Sequence, residues 1–358
     1  MSTTRQAVFW LAALALFFVL LHLLSGMLLP FVAGLGIAYL LSPLVAFLAR
    51  WKVPRGMASL AVLLLFLFLL IAVIILIVPV IELQATQLVR SAPAFAGYAR
   101  DEAQRLLDLA QRQLPPDDVQ KAQDLVNRWT GAALGWVAGL IESVLTRGLA
   151  IANLLTLLLI TPLVAFFLLR DWPAIVARID SWLPRPYAPV IREQLRLVDA
   201  TISGYIHGQA LVSLIDGIYY AAALSIVGLN FAFIIGIVVG ILSFIPYIGE
   251  ATGVLLAVGL AAMQFGTWSK VIVVAVIFLA GHLVSANFLQ PKLIGERVHL
   301  HQVWVIFALL AFGELFGFLG VLLALPAAAV TGVLVRFGLS RYLASPLYDP
   351  ERAQDPSG

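Results

Sequence analysis

The sequence predicts an all-α, polytopic integral membrane protein with about eight membrane helices, two of them broken helical hairpins, plus an extramembrane helical hairpin. Three observations carry that prediction. Of the 358 residues, 62% are hydrophobic and only 11% charged, with a mean hydropathy of +1.02. That is far outside the range of a water-soluble domain. Long uncharged runs recur, the clearest at residues 57–81, and a spanning helix needs roughly 20 apolar residues. Two late runs, 231–266 and 303–338, are each interrupted near the middle by a polar Gly-Glu step.

The run 7–25 follows Arg5 and lacks a convincing small-residue cleavage site, so it reads as a retained first span. With 28–49 and 57–80 it forms an N-terminal scaffold, residues 1–80. Pro30, Pro43 and Pro79 mark kinks or ends there, because proline removes an intrahelical donor. The turn after the second span carries Arg50, Lys52 and Arg55 without an acid, which the positive-inside rule places in the cytoplasm. Arg170, Arg185, Lys292, Arg297, Arg336 and Arg341 fall on the same side, so both termini are expected to be cytoplasmic. Residues 81–147 are then an extracytoplasmic amphipathic helical hairpin. Leu88, Ala92, Phe95 and Ala99 precede Pro115-Pro116, and Val126, Trp129, Ala133 and Trp136 follow, three or four apart. Its helices either bury each other or meet another subunit.

Residues 148–202 hold a membrane helix at 148–169 and a cytoplasmic interfacial helix from about Tyr187 to Thr201, which carries Arg192, Glu193, Arg196 and Asp199. A transport region follows at 203–341, with spans at 203–228 and 269–290 around the broken hairpins 231–266 and 303–338. Residues 342–358 read as a disordered cytoplasmic tail. Backbone that leaves a helix inside a bilayer survives only where protein or a wet cavity surrounds it. Broken spans in matching positions therefore point to a transport site. By the topology above, one hairpin enters from outside and the other from the cytoplasm, an inverted arrangement suited to alternating access around a midplane cavity.

The first break falls around Pro246, Gly249 and Glu250, the second around Gly313, Glu314, Gly317 and Gly320. An ionisable group at membrane depth costs at least ~2.5 kcal/mol and needs a partner, a cavity or a role. Glu250 and Glu314 are pathway candidates on that ground, the alternative being tips that reach the aqueous interface. Asp216, in LVSLIDGIYYAAAL, is the third acid. It could exchange a coupling proton, or stand protonated against a backbone carbonyl. Ser243, Tyr247, Asn287 and Gln290 could hydrogen-bond a hydroxylated solute. Glu296, His299 and His301 lack a specific metal-ligand spacing, and His207 and His282 read as packing or interfacial groups.

Other function classes lack their signatures. There is no cysteine, no HExxH, no GxGD or GxSG nucleophile signal and no GxxxxGK[ST] phosphate loop. No enzyme activity, metal or cofactor is expected, and transport would draw on a gradient. The sequence pI of 9.3 rests on few ionisable groups at the ends of apolar runs. It marks topology and a lipid bilayer partner rather than nucleic acid.

SFIPYIGE at 243–250, QPKLIGERVHLH at 290–301, GVLLALPAAA at 320–329, FFLLRD at 166–171 and GYIHGQ at 204–209 together resemble the autoinducer-2 exporter, or permease-M-like, family over nearly the whole chain. The resemblance implies a polytopic inner-membrane secondary transporter, usually with eight membrane helices, in a homo-oligomeric assembly for which a pentamer is one option. Its implied cargo is a small polar solute such as autoinducer-2, or a monovalent cation in a sodium or lithium/proton antiporter. A non-transporting membrane scaffold is the further alternative. Pro246, Gly249, Pro291, Gly295, His301 and Pro326 match family motif positions, most of them conformational. The chain departs from the family at Gln302, where a proline is common, and at His299, where a small residue is usual.

Overall fold

The computed structural model describes residues 23–110, 151–265, 267–294 and 301–345, together with residues 12, 16, 19–21 and 348. Among the described residues the regular structure is helical. In order, the elements are α1 (Ser25–Arg50), α2 (Arg55–Ala110), α3 (Ile151–Ser181), α4 (Ala188–Val227), α5 (Ala232–Leu242), α6 (Ile248–Phe265) and α7 (Trp268–Val284). A π-helical turn (Ser285–Leu289), the short α8 (Gln290–Leu293) and α9 (Gln302–Leu343) complete them.

Seven helical segments among the described residues are long and apolar enough to cross a membrane: Met27–Arg50, Arg55–Val80, Leu157–Ser181, Ala188–Val227, Ile248–Phe265, Trp268–Leu293 and Gln302–Leu343. Their outward faces carry large apolar side chains such as Leu65, Phe68, Leu76, Leu255 and Leu310, all exposed. Water would penalise such a surface and hydrocarbon accepts it. The chain is a multi-pass membrane protein.

Two boundaries differ from those the sequence suggested. The amphipathic stretch near 187–201 and the fifth span form one 40-residue helix, α4, because no glycine or proline interrupts the passage from Leu197 to Ser203. The third span likewise runs through Pro79 and on as α2 to Ala110, so the first half of the expected extramembrane hairpin continues that span. The second half of that hairpin, most of the run 7–25, Gly295, Glu296, His299 and most of the C-terminal tail lie outside the described residues.

The described helices assort into two compact units. In the unit made of residues 1–66, 156–211 and 289–358, Gly34 of α1 lies against Val164 and the Thr161 carbonyl of α3. Tyr39 donates to Asp199 Oδ1 at 2.9 Å, and Arg55 Nε donates to the Leu169 carbonyl at 3.0 Å. Arg192 forks onto both carboxylate oxygens of Asp180 at 2.6 and 3.0 Å, tying the end of α3 to the start of α4. α9 belongs to this unit and is not straight. Gly317 has φ 61° and ψ −141°, a conformation close to glycine-only. Gly320 packs onto the Phe312 carbonyl and Gly313 faces Val321. A continuous helix would hold residues 312 and 320 about 12 Å apart, so α9 is two arms folded back at Gly317, and 303–338 is a helical hairpin.

The other unit comprises residues 67–155 and 212–288. Its core joins Tyr220, Leu224, Ile235, Val239, Val274 and Phe278, with Tyr220 stacked on Phe278 at 4.3 Å between centroids. α5 has 11 residues, about 16 Å, too short to cross a hydrocarbon core of about 30 Å. It turns back at 243–247 and packs along α6, so 231–265 is also a hairpin. α4 and α5 approach through glycines: a Cβ on Gly236 would fall 2.5 Å from that of Ala221 and 2.7 Å from the Gly217 carbonyl, and Gly240 faces the Ser213 carbonyl. Small residues let helix backbones meet where no hydrophobic effect drives association.

Gly236→Val is expected to force α4 and α5 apart and cost about 1–3 kcal/mol, read as a lower unfolding temperature of the full chain in detergent. Gly259→Ala, whose Cβ would meet nothing within 4 Å, should leave that temperature unchanged or raise it.

Candidate functional site

The first hairpin tip is built by backbone geometry. Tyr247 adopts φ 66°, a left-handed conformation uncommon for an aromatic residue. The amides of Phe244 and Ile245 bond back to the carbonyls of Ile241 and Leu242 at 3.3 and 2.9 Å, and Ala251 N–H reaches the Tyr247 carbonyl at 3.1 Å. Gly249 is pressed against the backbone of Leu242 and Ser243, where a side chain has no room. Gly253, one turn further, is closed off by Val239 and Phe278. This closure fixes Glu250 in the first turn of α6, half-buried and aimed at α7.

There Glu250 Oε2 lies 2.5 Å from His282 Nδ1. One turn along α7, the fully buried Ser285 donates to Asp216 Oδ2 at 3.1 Å. His282 and Ser285 stand three residues apart on one helix face. α7 and the π-helical turn that continues it thus present one partner to the carboxylate of the hairpin tip and another to the buried carboxylate of α4. The two acids act on each other electrostatically. Tyr220, one turn beyond Asp216, is fully buried within the field of both, and its hydroxyl makes no hydrogen bond among the described residues. It sits over Gly281, whose missing side chain leaves it that space. Tyr219 caps the face by donating to the Ile277 carbonyl at 3.1 Å.

Pro291 explains the π-helical turn that carries Ser285. It cannot donate to the carbonyl of Asn287, and its ring crowds that carbonyl, so the preceding turn widens. Asn287 Nδ2 donates to the Leu283 carbonyl at 2.8 Å, filling an acceptor of the distorted turn. Such bulges occur disproportionately at functional sites.

The candidates from sequence therefore separate. Asp216, Glu250, Gly249, Pro246, Tyr247 and Ser243 fall in one unit, with the tip residues around Glu250 and Asp216 reached through α7. Asn287 is exposed on the π-helical turn and committed to its own helix. Gln290 and Pro291 are helical, and Gln290 is exposed. Glu314 is exposed near the Gly317 reversal, between Gly313 and Gly320 in the hairpin of α9, with Pro326 inside the following arm. His301 starts α9, its Nδ1 accepting the Val303 N–H at 3.3 Å.

His282 corrects the sequence reading: it pairs with an acid 32 residues away rather than serving only packing. Ser285 and Tyr220 were missed as site residues. The recoverable signal was the three-residue spacing of His282 and Ser285 and the four-residue spacing of Asp216 and Tyr220, which place each pair on one face. Nothing in the sequence says that those faces meet.

Residues 11–340 match a family described as AI-2E family transporter. The chain is 30% identical to YrrI of Bacillus subtilis, a candidate transport protein by its name, over 86% of this chain and 85% of YrrI. It is 26% identical to the candidate permease PerM of Escherichia coli K12 over 92% of each. It is also 26% identical to the AI-2 transport protein TqsA of the same strain, over 85% of this chain and 84% of TqsA.

Ser285→Ala removes the donor to Asp216 in a buried setting and is expected to cost about 1–3 kcal/mol. Asn287→Ala, which breaks an exposed bond within one helix, should cost less than about 1 kcal/mol. Thermal unfolding of the two variants side by side in detergent checks the order.

Proposed function

Because this chain belongs to the AI-2E transporter family, we propose that it is a gradient-driven secondary transporter of the cell inner membrane that exports a small polar metabolite such as autoinducer-2. One observation carries the reading: the closed hairpin tip delivers Glu250 to His282, one turn from the Ser285 that holds Asp216. Two carboxylates with separate partners, both brought to one apolar helix, form a place where protons can be held and released as the tip moves. Ser243 and Tyr247 on the tip supply hydroxyls for a polar solute beside them, and a hairpin hinged at glycine is the moving part of an alternating-access cycle. On this reading both termini face the cytoplasm and the protein works as a homo-oligomer. The family it belongs to is one of transporters.

A sodium or lithium/proton antiporter is the second reading. It is favoured by the hard oxygen donors around Asp216, where the Ser285 hydroxyl and the Tyr220 hydroxyl sit in the field of a carboxylate. TqsA is a relative whose name specifies AI-2 transport, and that name supports the first reading here.

Reconstituted vesicles under an imposed proton gradient separate the two, with the autoinducer furanone, sodium and lithium offered in parallel. Asp216→Asn and Glu250→Gln, singly and together, are expected to lower proton-linked flux of the transported species by at least about tenfold. Unchanged flux in the double variant rejects the coupling role of these acids.

A further inference from the structure

The established features of the site leave one group without a role: His282, joined to Glu250 at the short distance of 2.5 Å. Its surroundings restrict what it can do. Within residues 212–288 the titratable groups are Asp216, Tyr219 and Tyr220 on α4, Tyr247 at the tip, Glu250 on α6 and His282 on α7, with Lys270 at the far end of α7 over the Phe265 ring. α5 carries none. Among the described residues of this site no Lys or Arg faces the acids, and His282 is the basic side chain that meets Glu250.

We propose that His282 is the positioning residue of transport, a proton-dependent latch that holds the first hairpin tip closed against α7 through Glu250 while Ser285, one turn away, holds Asp216. The proposal rests on the reading of Glu250 and Asp216 as the coupling acids and adds the element that links their protonation to motion. With Glu250 ionised, its Oε2 accepts and Nδ1 of the imidazolium donates, giving a charge-assisted bond. A second proton taken up by the pair goes to the Glu250 carboxylate. The attraction of opposite charges is then lost, and an O–H replaces the acceptor in front of an N–H. The proton that arrives is the one the tip carries when it opens.

The tip is suited to such a latch. It contains a non-glycine residue in the left-handed region, Tyr247, and closes on the glycines 249 and 253, which pack without interlocking side chains of their own. Its backbone is anchored by few bonds besides those of the flanking helices. The contact to His282 spans helices that are otherwise joined by apolar packing. The side chain of His282 is 51% exposed and that of Glu250 23%, so the pair is open on one side.

The test is hydrogen exchange by mass spectrometry on the full chain in lipid nanodiscs, following peptides that cover residues 242–253 and correcting for the intrinsic rate at each pH. At pH 7.5 protection of the tip should fall roughly fivefold in His282→Gln and in Glu250→Gln, the discount from a fully buried charged bond reflecting partial exposure. The double variant should fall no further, because both changes remove the same bond. As pH is lowered through and below about 4, where carboxylates ordinarily take up a proton, the unsubstituted protein should converge on the variants, which stay flat. Equal protection in the unsubstituted protein and His282→Gln across this range overturns the latch, as does full additivity in the double variant. Flux in the same preparations keeps the two ideas apart. Loss of flux in Asp216→Asn with tip protection indifferent to His282 overturns the latch and leaves the transport reading standing. A pH-dependent latch with unimpaired flux in Asp216→Asn and Glu250→Gln does the opposite.

Discussion

A backbone N–H or C=O that leaves its helix within hydrocarbon has no water to turn to, and every irregular feature of this chain answers to that constraint. It is why the described residues are helical, and why each interruption folds back onto protein. At 243–247 the carbonyls of Ile241, Leu242 and Tyr247 take up amides of the tip, and Gly249 allows the turn to collapse onto α5. At Gly317 the arms of α9 close through Gly320 on Phe312 and Gly313 on Val321. Glycine serves both reversals for one reason: a side chain would hold the arms apart and reopen the backbone to lipid.

The same constraint shapes the polar site. Carboxylates in an apolar bundle persist where partners meet them, and here the partners sit on a single helix. α7 is apolar along most of its length, yet it and the π turn that continues it present His282 and Ser285 on one face, just where Pro291 widens the helix. Close glycine packing of α4 against α5, and of α6 against α7 at Gly253, brings Asp216 and Glu250 within reach of that face. Without those glycines the acids would stand apart. The buried Tyr220 hydroxyl adds a further polar group to the same small volume.

Much of this architecture is legible in the amino-acid sequence. Runs of apolar residues longer than a bilayer crossing and the two Gly-Glu interruptions locate the spans and the hairpins, because segment length and interrupted hydrophobicity are properties of the chain alone. Helix ends are less legible. Pro79 does not stop α2, and the charged stretch near 187–201 does not separate from α4, since nothing local forces a break where charges merely change the solvent a helix faces. Asp216 and Glu250 stand out as charges in apolar surroundings. His282 and Ser285 do not, as histidine and serine are common enough near helix ends to carry no signal until their partners are known.

The sequence by itself determined that this protein lies in a membrane, that its spans are helical, that two of them are broken, and which acids are out of place there. These follow from transfer free energies and helix geometry, which act residue by residue. Only the tertiary structure decided which of those acids has a partner. The Glu250–His282 pair joins residues 32 apart and the Asp216–Ser285 bond residues 69 apart. Both depend on how closely helices can approach, which is set by glycines on faces whose neighbours no linear pattern names.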